Sequence, residues 1–72
     1  MKAYDIYVIP PGEAHARFFD GYQREADALE AFNIIVSDGR VRAAFLDEVT
    51  YMRGTNKKEK RSLKTWRRRS KG

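Results

Sequence analysis

One stretch of this chain repeats its apolar residues at the spacing of a helix, and the segments around it repeat theirs at the spacing of a strand. In "READALEAFNIIVS", residues 24–37, Ala26, Leu29, Phe32, Ile35 and Val36 fall within one arc at about 100° per residue, with Asp27 and Glu30 opposite. Asp20 precedes this segment, Glu25 and Asp27 place negative charge at its positive end, and Gly39 supplies a C-terminal stop. Ile34 lies outside the arc and reads as an isolated exposed apolar residue. A single amphipathic helix must hide its stripe against another layer, and the flanking segments provide a sheet.

In "AYDIYVI", Tyr4, Ile6 and Val8 alternate with Asp5, Tyr7 and Ile9, so a first strand is expected over residues 3–9. Pro10, Pro11 and Gly12 break it: Pro11 presets φ at one turn position, and Gly12 accepts the positive φ that a type II turn needs next. A hairpin then leads into a second strand over 14–20, "AHARFFD", with Ala14, Ala16 and Phe18 inward and His15, Arg17 and Phe19 outward. "VRAAFLDEVTYMR", residues 41–53, reads as one long strand that admits a bulge, because Asp47 and Glu48 lack the positive-φ aptitude of a two-residue hairpin loop. The expected fold is α+β: a small antiparallel sheet of three to four strands in ββαβ order, one amphipathic helix packed on one face, and a basic C-terminal arm. The helix stripe should meet Ile6, Val8, Ala16 and Phe18, leaving the other sheet face at least partly wet.

Seventy-two residues make one small core, and a chain of this length buries only about 60% of the surface its unfolded form exposes. Charge divides the chain at Gly54. Residues 1–53 carry six bases against nine acids, a net charge of −3, whereas residues 54–72 carry nine bases against Glu59 alone, a net charge of +8. Two regions follow, a compact body over 1–53 and a basic arm over 54–72. The arm, "KKEKRSLKTWRRRSKG" from residue 57, admits three conformations. Asn56 and Glu59 approximate a capping box for a helix with Leu63 and Trp66 on one side. The same segment pairs equally well as an edge strand after a turn at Gly54, Thr55 and Asn56, and its like charge also permits disorder.

The arm carries the main functional expectation. Lys57, Lys58, Lys60, Arg61, Lys64, Arg67, Arg68 and Arg69 are suited to phosphates, and Trp66 to stacking on a base. The outer sheet face is a second candidate: Tyr7, Ile9, His15, Arg17 and Phe19 would gather there as a stacking platform or protein interface, unless the C-terminal segment folds across it and fills it with Leu63 and Trp66. In "EAHAR", Glu13, His15 and Arg17 are residue types a metal-free ribonuclease uses, but alternating charges on a wet strand need no catalytic reason. No catalytic residue is expected. One histidine, no cysteine and carboxylates at Asp5, Asp20, Asp47 and Glu48 without ligand spacing predict no metal, and no other cofactor is expected. Gly12, Gly21 and Gly39 stand alone, so there is no phosphate-cradling loop for nucleotide hydrolysis.

Without cysteine, a membrane-length apolar run or a signal-peptide pattern, the expected setting is the cytoplasm, with no membrane partner. The sequence thus leads to a small non-catalytic protein whose basic arm contacts nucleic acid or a nucleoprotein complex. The alternative is a stoichiometric protein inhibitor or adaptor of a nucleic-acid-handling complex, of the kind phages and other mobile elements encode against host defences.

Overall fold

The computed structural model describes residues 1–54 and 57–69. Strands β1 (Lys2–Ile9) and β2 (Arg17–Tyr22) precede helix α1 (Glu25–Asp38), and β3 (Ala43–Tyr51) and β4 (Lys58–Arg67) follow it. All four strands are antiparallel neighbours in one open sheet of order β2-β1-β3-β4, with the helix on one face. This is the expected α+β architecture. The basic segment supplies its fourth strand, so of the three conformations open to it the edge strand is the one adopted. Asn56 of the capping-box reading and two residues of the expected turn, Thr55 and Asn56, lie outside the described residues, as does Lys71.

The core lies between the helix and one sheet face. Tyr4, Ile6 and Val8 of β1 and Ala44 and Leu46 of β3 bury themselves against Ala28 and Phe32 of α1. Leu29, Ala31, Ile35 and Val36 pack around this centre. Ala28, fully buried, takes the place expected of Ala26, which is exposed. A small side chain at the contact lets the helix sit close to the sheet, and the stripe is rotated accordingly. Ile34 is 62% exposed, as its position outside the stripe requires. Gly39 ends the helix at φ 71°, donating its N–H to the Ile35 carbonyl, the left-handed cap that glycine adopts without strain.

The first hairpin departs from expectation. The turn forms where Pro11 and Gly12 place it, with Gly12 at φ 79° and the Glu13 N–H donating to the Pro10 carbonyl. A type II turn splays the strands it joins, however, so pairing does not resume at Ala14. It begins with Arg17 opposite Val8 and Phe18 opposite Tyr7, and then one extra residue, Phe19, shifts the register before Asp20 meets Ile6. Ala14 and Ala16 are therefore exposed loop residues, not inward strand residues. Phe18 falls on the face away from the helix, and Tyr22 fills the space on the helix side that the sequence reading gave to Phe18.

β4 carries the corresponding irregularity on the other edge. Leu46 pairs with Lys64 and Asp47 with Ser62, leaving Leu63 as the extra residue. Leu63 and Trp66 pack against the helix-side core, so they do not cover the opposite face. That face stays open.

Candidate nucleic-acid interface

The alternation of β1 sets the open face. With Tyr4, Ile6 and Val8 turned to the helix, Asp5, Tyr7 and Ile9 turn away, and the pairing register carries this face across the sheet. Phe18, Tyr7, Phe45 and Thr65 form one row over four strands, in the order β2, β1, β3, β4. The Phe18 and Tyr7 rings meet edge to face, with centroids 5.7 Å apart and planes at 77°. Tyr7 and Phe45 are direct cross-strand partners. Phe18 is 59% exposed, and Tyr7 and Phe45 are half-buried.

β4 brings positive charge to these rings. Lys58, Lys60 and Arg67 share the open face, while Arg61, Lys64 and Trp66 take the helix side by the same alternation. Lys60 Nζ stands 5.4 Å from the Tyr7 ring centroid and donates to the Tyr7 hydroxyl oxygen at 3.4 Å. The Arg67 guanidinium stands 5.4 Å from the Phe45 centroid. On the helix side, Lys64 lies over the Phe32 ring at 5.7 Å. Val49 and Ala43 are almost wholly buried although they lie on the open face, between Ala3 and Lys60 and between Ile9 and Arg67 respectively. The long basic side chains cover apolar surface with their stems while their heads stay in water.

Asp5 and Asp47 face each other in the row beside the aromatics, two like charges in direct cross-strand pairing. Lys60 answers them. Its ammonium holds its proton more tightly than an ordinary lysine, first through the hydrogen bond and charge interaction with Tyr7, then through the fields of Asp47 and Asp5. On the helix side, Tyr22 is harder to ionise than an ordinary tyrosine, because burial disfavours the phenolate and Asp20 and Asp27 repel it.

At one end of the open face, Ile9, Glu13, Ala14, Arg42, Ala43, Arg67, Arg68 and Arg69 line a cleft of about 430 Å³. Arg68 and Arg69 follow directly on β4, and the Arg68 N–H donates to the Arg42 carbonyl at 2.8 Å. Lys57 precedes β4, with its carbonyl accepting from the Met52 N–H.

The residues expected at an interface do not all assemble. Tyr7 and Ile9 are on the open face. His15 is exposed in the loop before β2, and Arg17, opposite Val8, is bound to the Glu13 carboxylate at 2.7 Å. Phe19 is the extra residue of the β2 irregularity and is 51% exposed. The shared strand face drawn for Glu13, His15 and Arg17 does not exist, because β2 begins only at Arg17. Trp66 is on the helix side, away from the other candidate stacking rings.

Phe45 and Phe18 on the open face and Arg42 in the cleft at its end are residues that sequence reasoning left out of the site. Alternation against Ala44 and Leu46 was available to turn Phe45 outward, but its placement beside Tyr7 depends on a register between distant strands. Among the described residues, no group of three or more His, Cys, Asp or Glu is placed to hold a metal ion, and no helix is long and apolar enough to cross a membrane. No family model matches this chain, and neither a curated protein nor a solved structure shows significant similarity to it.

Proposed function

We propose that this is a non-catalytic nucleic-acid-binding protein that takes a single strand across the open face of its sheet. The observation that carries the reading is the row Phe18, Tyr7 and Phe45, bordered on β4 by Lys58, Lys60 and Arg67. Unpaired bases stack on aromatic faces presented by a sheet, and the adjacent cations neutralise the phosphates that follow. Lys60 and Arg67 lie over two of the rings before any base arrives. An exposed cation over a ring is worth about 0.5–1 kcal/mol. A stacked base is worth about 1–3 kcal/mol. The exchange therefore favours the base, and both long side chains remain close enough to turn toward its phosphate.

The edge position of β4 adds to this reading. One side of a ten-residue strand with a basic composition is unpaired in the sheet, and its charges on both faces give a nucleic acid a continuous electrostatic approach. Trp66 serves the fold here, joining the helix-side core, so the stacking role passes to Tyr7 and Phe45.

The test is equilibrium binding of a fluorescent single-stranded oligonucleotide, DNA and RNA in parallel, against a duplex of the same length. Tyr7→Ala and Phe45→Ala should each weaken single-strand binding by about 1–3 kcal/mol without changing its salt dependence. Lys58→Gln with Lys60→Gln should flatten the salt dependence by about 0.7 for each phosphate that is no longer neutralised. Binding of wild type to neither strand nor duplex would refute the proposal. It would give the open face to a protein partner, the inhibitor or adaptor reading.

A further inference from the structure

The arginine cleft at the end of the open face has features that a solvated charge cluster does not require. Its arginines come from two segments distant in sequence, Arg42 just before β3 and Arg67 at the end of β4 with Arg68 and Arg69 directly after it. The backbone ties these segments together, the Arg68 N–H donating to the Arg42 carbonyl at 2.8 Å. Arg42 is itself held in place, since Nη1 donates to the Glu13 carbonyl oxygen at 2.8 Å. Among the described residues, the one carboxylate lining the cleft, Glu13, is engaged by Arg17 at 2.7 Å. Among the described residues, no carboxylate forms an ion pair with Arg42, Arg67, Arg68 or Arg69. Like charges held together without a counterion call for an anion, and the guanidinium fork matches the oxygens of a phosphate.

Position narrows the choice of anion. Arg67 belongs to both places, lining the cleft while its guanidinium stands over Phe45. Ala43, in the cleft wall, is two residues along β3 from Phe45, about 7 Å of extended strand. We infer that the cleft is a phosphate subsite, which takes the phosphate next to the base stacked on Phe45; this rests on the single-strand reading of the open face. The shared chemistry is a phosphate oxyanion, supplied either by an internal phosphodiester or by a terminal phosphomonoester.

The experiment uses the full chain and three single-stranded octanucleotides, carrying a 5′-phosphate, a 3′-phosphate or neither. Arg68→Gln combined with Arg69→Gln lies beyond the last residue of β4, on exposed side chains, and leaves the sheet intact. The double variant should bind at least about tenfold more weakly, the scale of one charge-assisted hydrogen bond. Its log affinity should fall less steeply with log salt, by about 0.7 for one phosphate. Weakening on all three oligonucleotides assigns the cleft to an internal phosphate, and weakening on one phosphorylated oligonucleotide alone assigns it to that terminus. Unchanged affinity and salt dependence on all three, with Phe45→Ala still weakening binding, would overturn the inference while leaving the open-face reading intact. If wild type binds no oligonucleotide, titration with pyrophosphate decides. Saturable shifts of the Arg42 and Arg67 side-chain NMR signals, abolished in the double variant, would keep the cleft as a phosphate site, and their absence would overturn it.

Discussion

Replacing Phe32 with alanine removes the aromatic ring that α1 buries in the core. Phe32 is 3% exposed and packs among Tyr4, Ile6, Val8, Ala28, Ala44 and Leu46, with the Lys64 ammonium over its ring at 5.7 Å. Truncating a buried phenylalanine costs about 3–5 kcal/mol, from forfeited transfer energy and the cavity left behind. Taking the ring from beneath the Lys64 cation adds at most about 1 kcal/mol, because Lys64 is exposed. A domain of this length has a total stability of roughly 4–11 kcal/mol at typical per-residue values, so the substitution consumes a large part of it. With a urea dependence of about 1 kcal/mol per molar, the unfolding midpoint should drop by about 3 M or the variant should be unfolded in water. Ile34→Ala, on the exposed side of the same helix, is the control and should stay within about 0.5 kcal/mol of wild type. A loss below about 1 kcal/mol at Phe32 would refute the packing of α1 on the sheet.

Asp47→Asn removes one of two like charges paired directly across β1 and β3 together with the attraction of Asp47 for Lys60, so urea denaturation should show a net change within about 1 kcal/mol, and a larger loss would contradict that balance. The contact between Lys60 and Tyr7 raises the folded-state pKa of the lysine, so its stabilisation is complete below the unfolded value of about 10.4 and fades only as pH climbs through the folded one. The stability difference between wild type and Lys60→Met should therefore be flat between about pH 6 and 9, and a trend across that range would exclude this source. Purified protein should leave labelled RNA and DNA intact, and His15→Ala should bind as wild type does; cleavage that disappears in that variant would restore a catalytic role to the Glu13, His15 and Arg17 segment.

What was legible in the sequence follows from which interactions are local. The period of β1, the existence of the helix and the glycine at its end are set by neighbouring residues and appear where the sequence places them, whereas the helix stripe is rotated so that Ala28 replaces Ala26 at the sheet. The phase of β2 was not legible, because the extra residue at Phe19 is decided by how a splayed turn rejoins β1. A one-residue shift moves every side chain of a strand to the other face, which is how Phe18 came to the open side. The basic segment was readable as charge but not as conformation. Leu63 and Trp66 fit a helix as well as a strand, and only the vacant edge of β3 and the uncovered end of the core favour the strand. One consequence is practical. Deleting residues 57–72, the natural experiment for a free arm, would remove a sheet strand, so charge has to be tested by substitution.

In the proposed function, the face of the sheet away from the helix is the binding face. Chemical-shift mapping of the isotope-labelled protein against an unlabelled single-stranded octanucleotide tests it most directly. The largest shifts should fall at the Tyr7, Phe18 and Phe45 rings and at the amides of Asp47 and Lys60, with the amides of Ala28, Phe32 and Ile35 nearly unmoved. Shifts centred on α1, with the three rings unmoved, would contradict it.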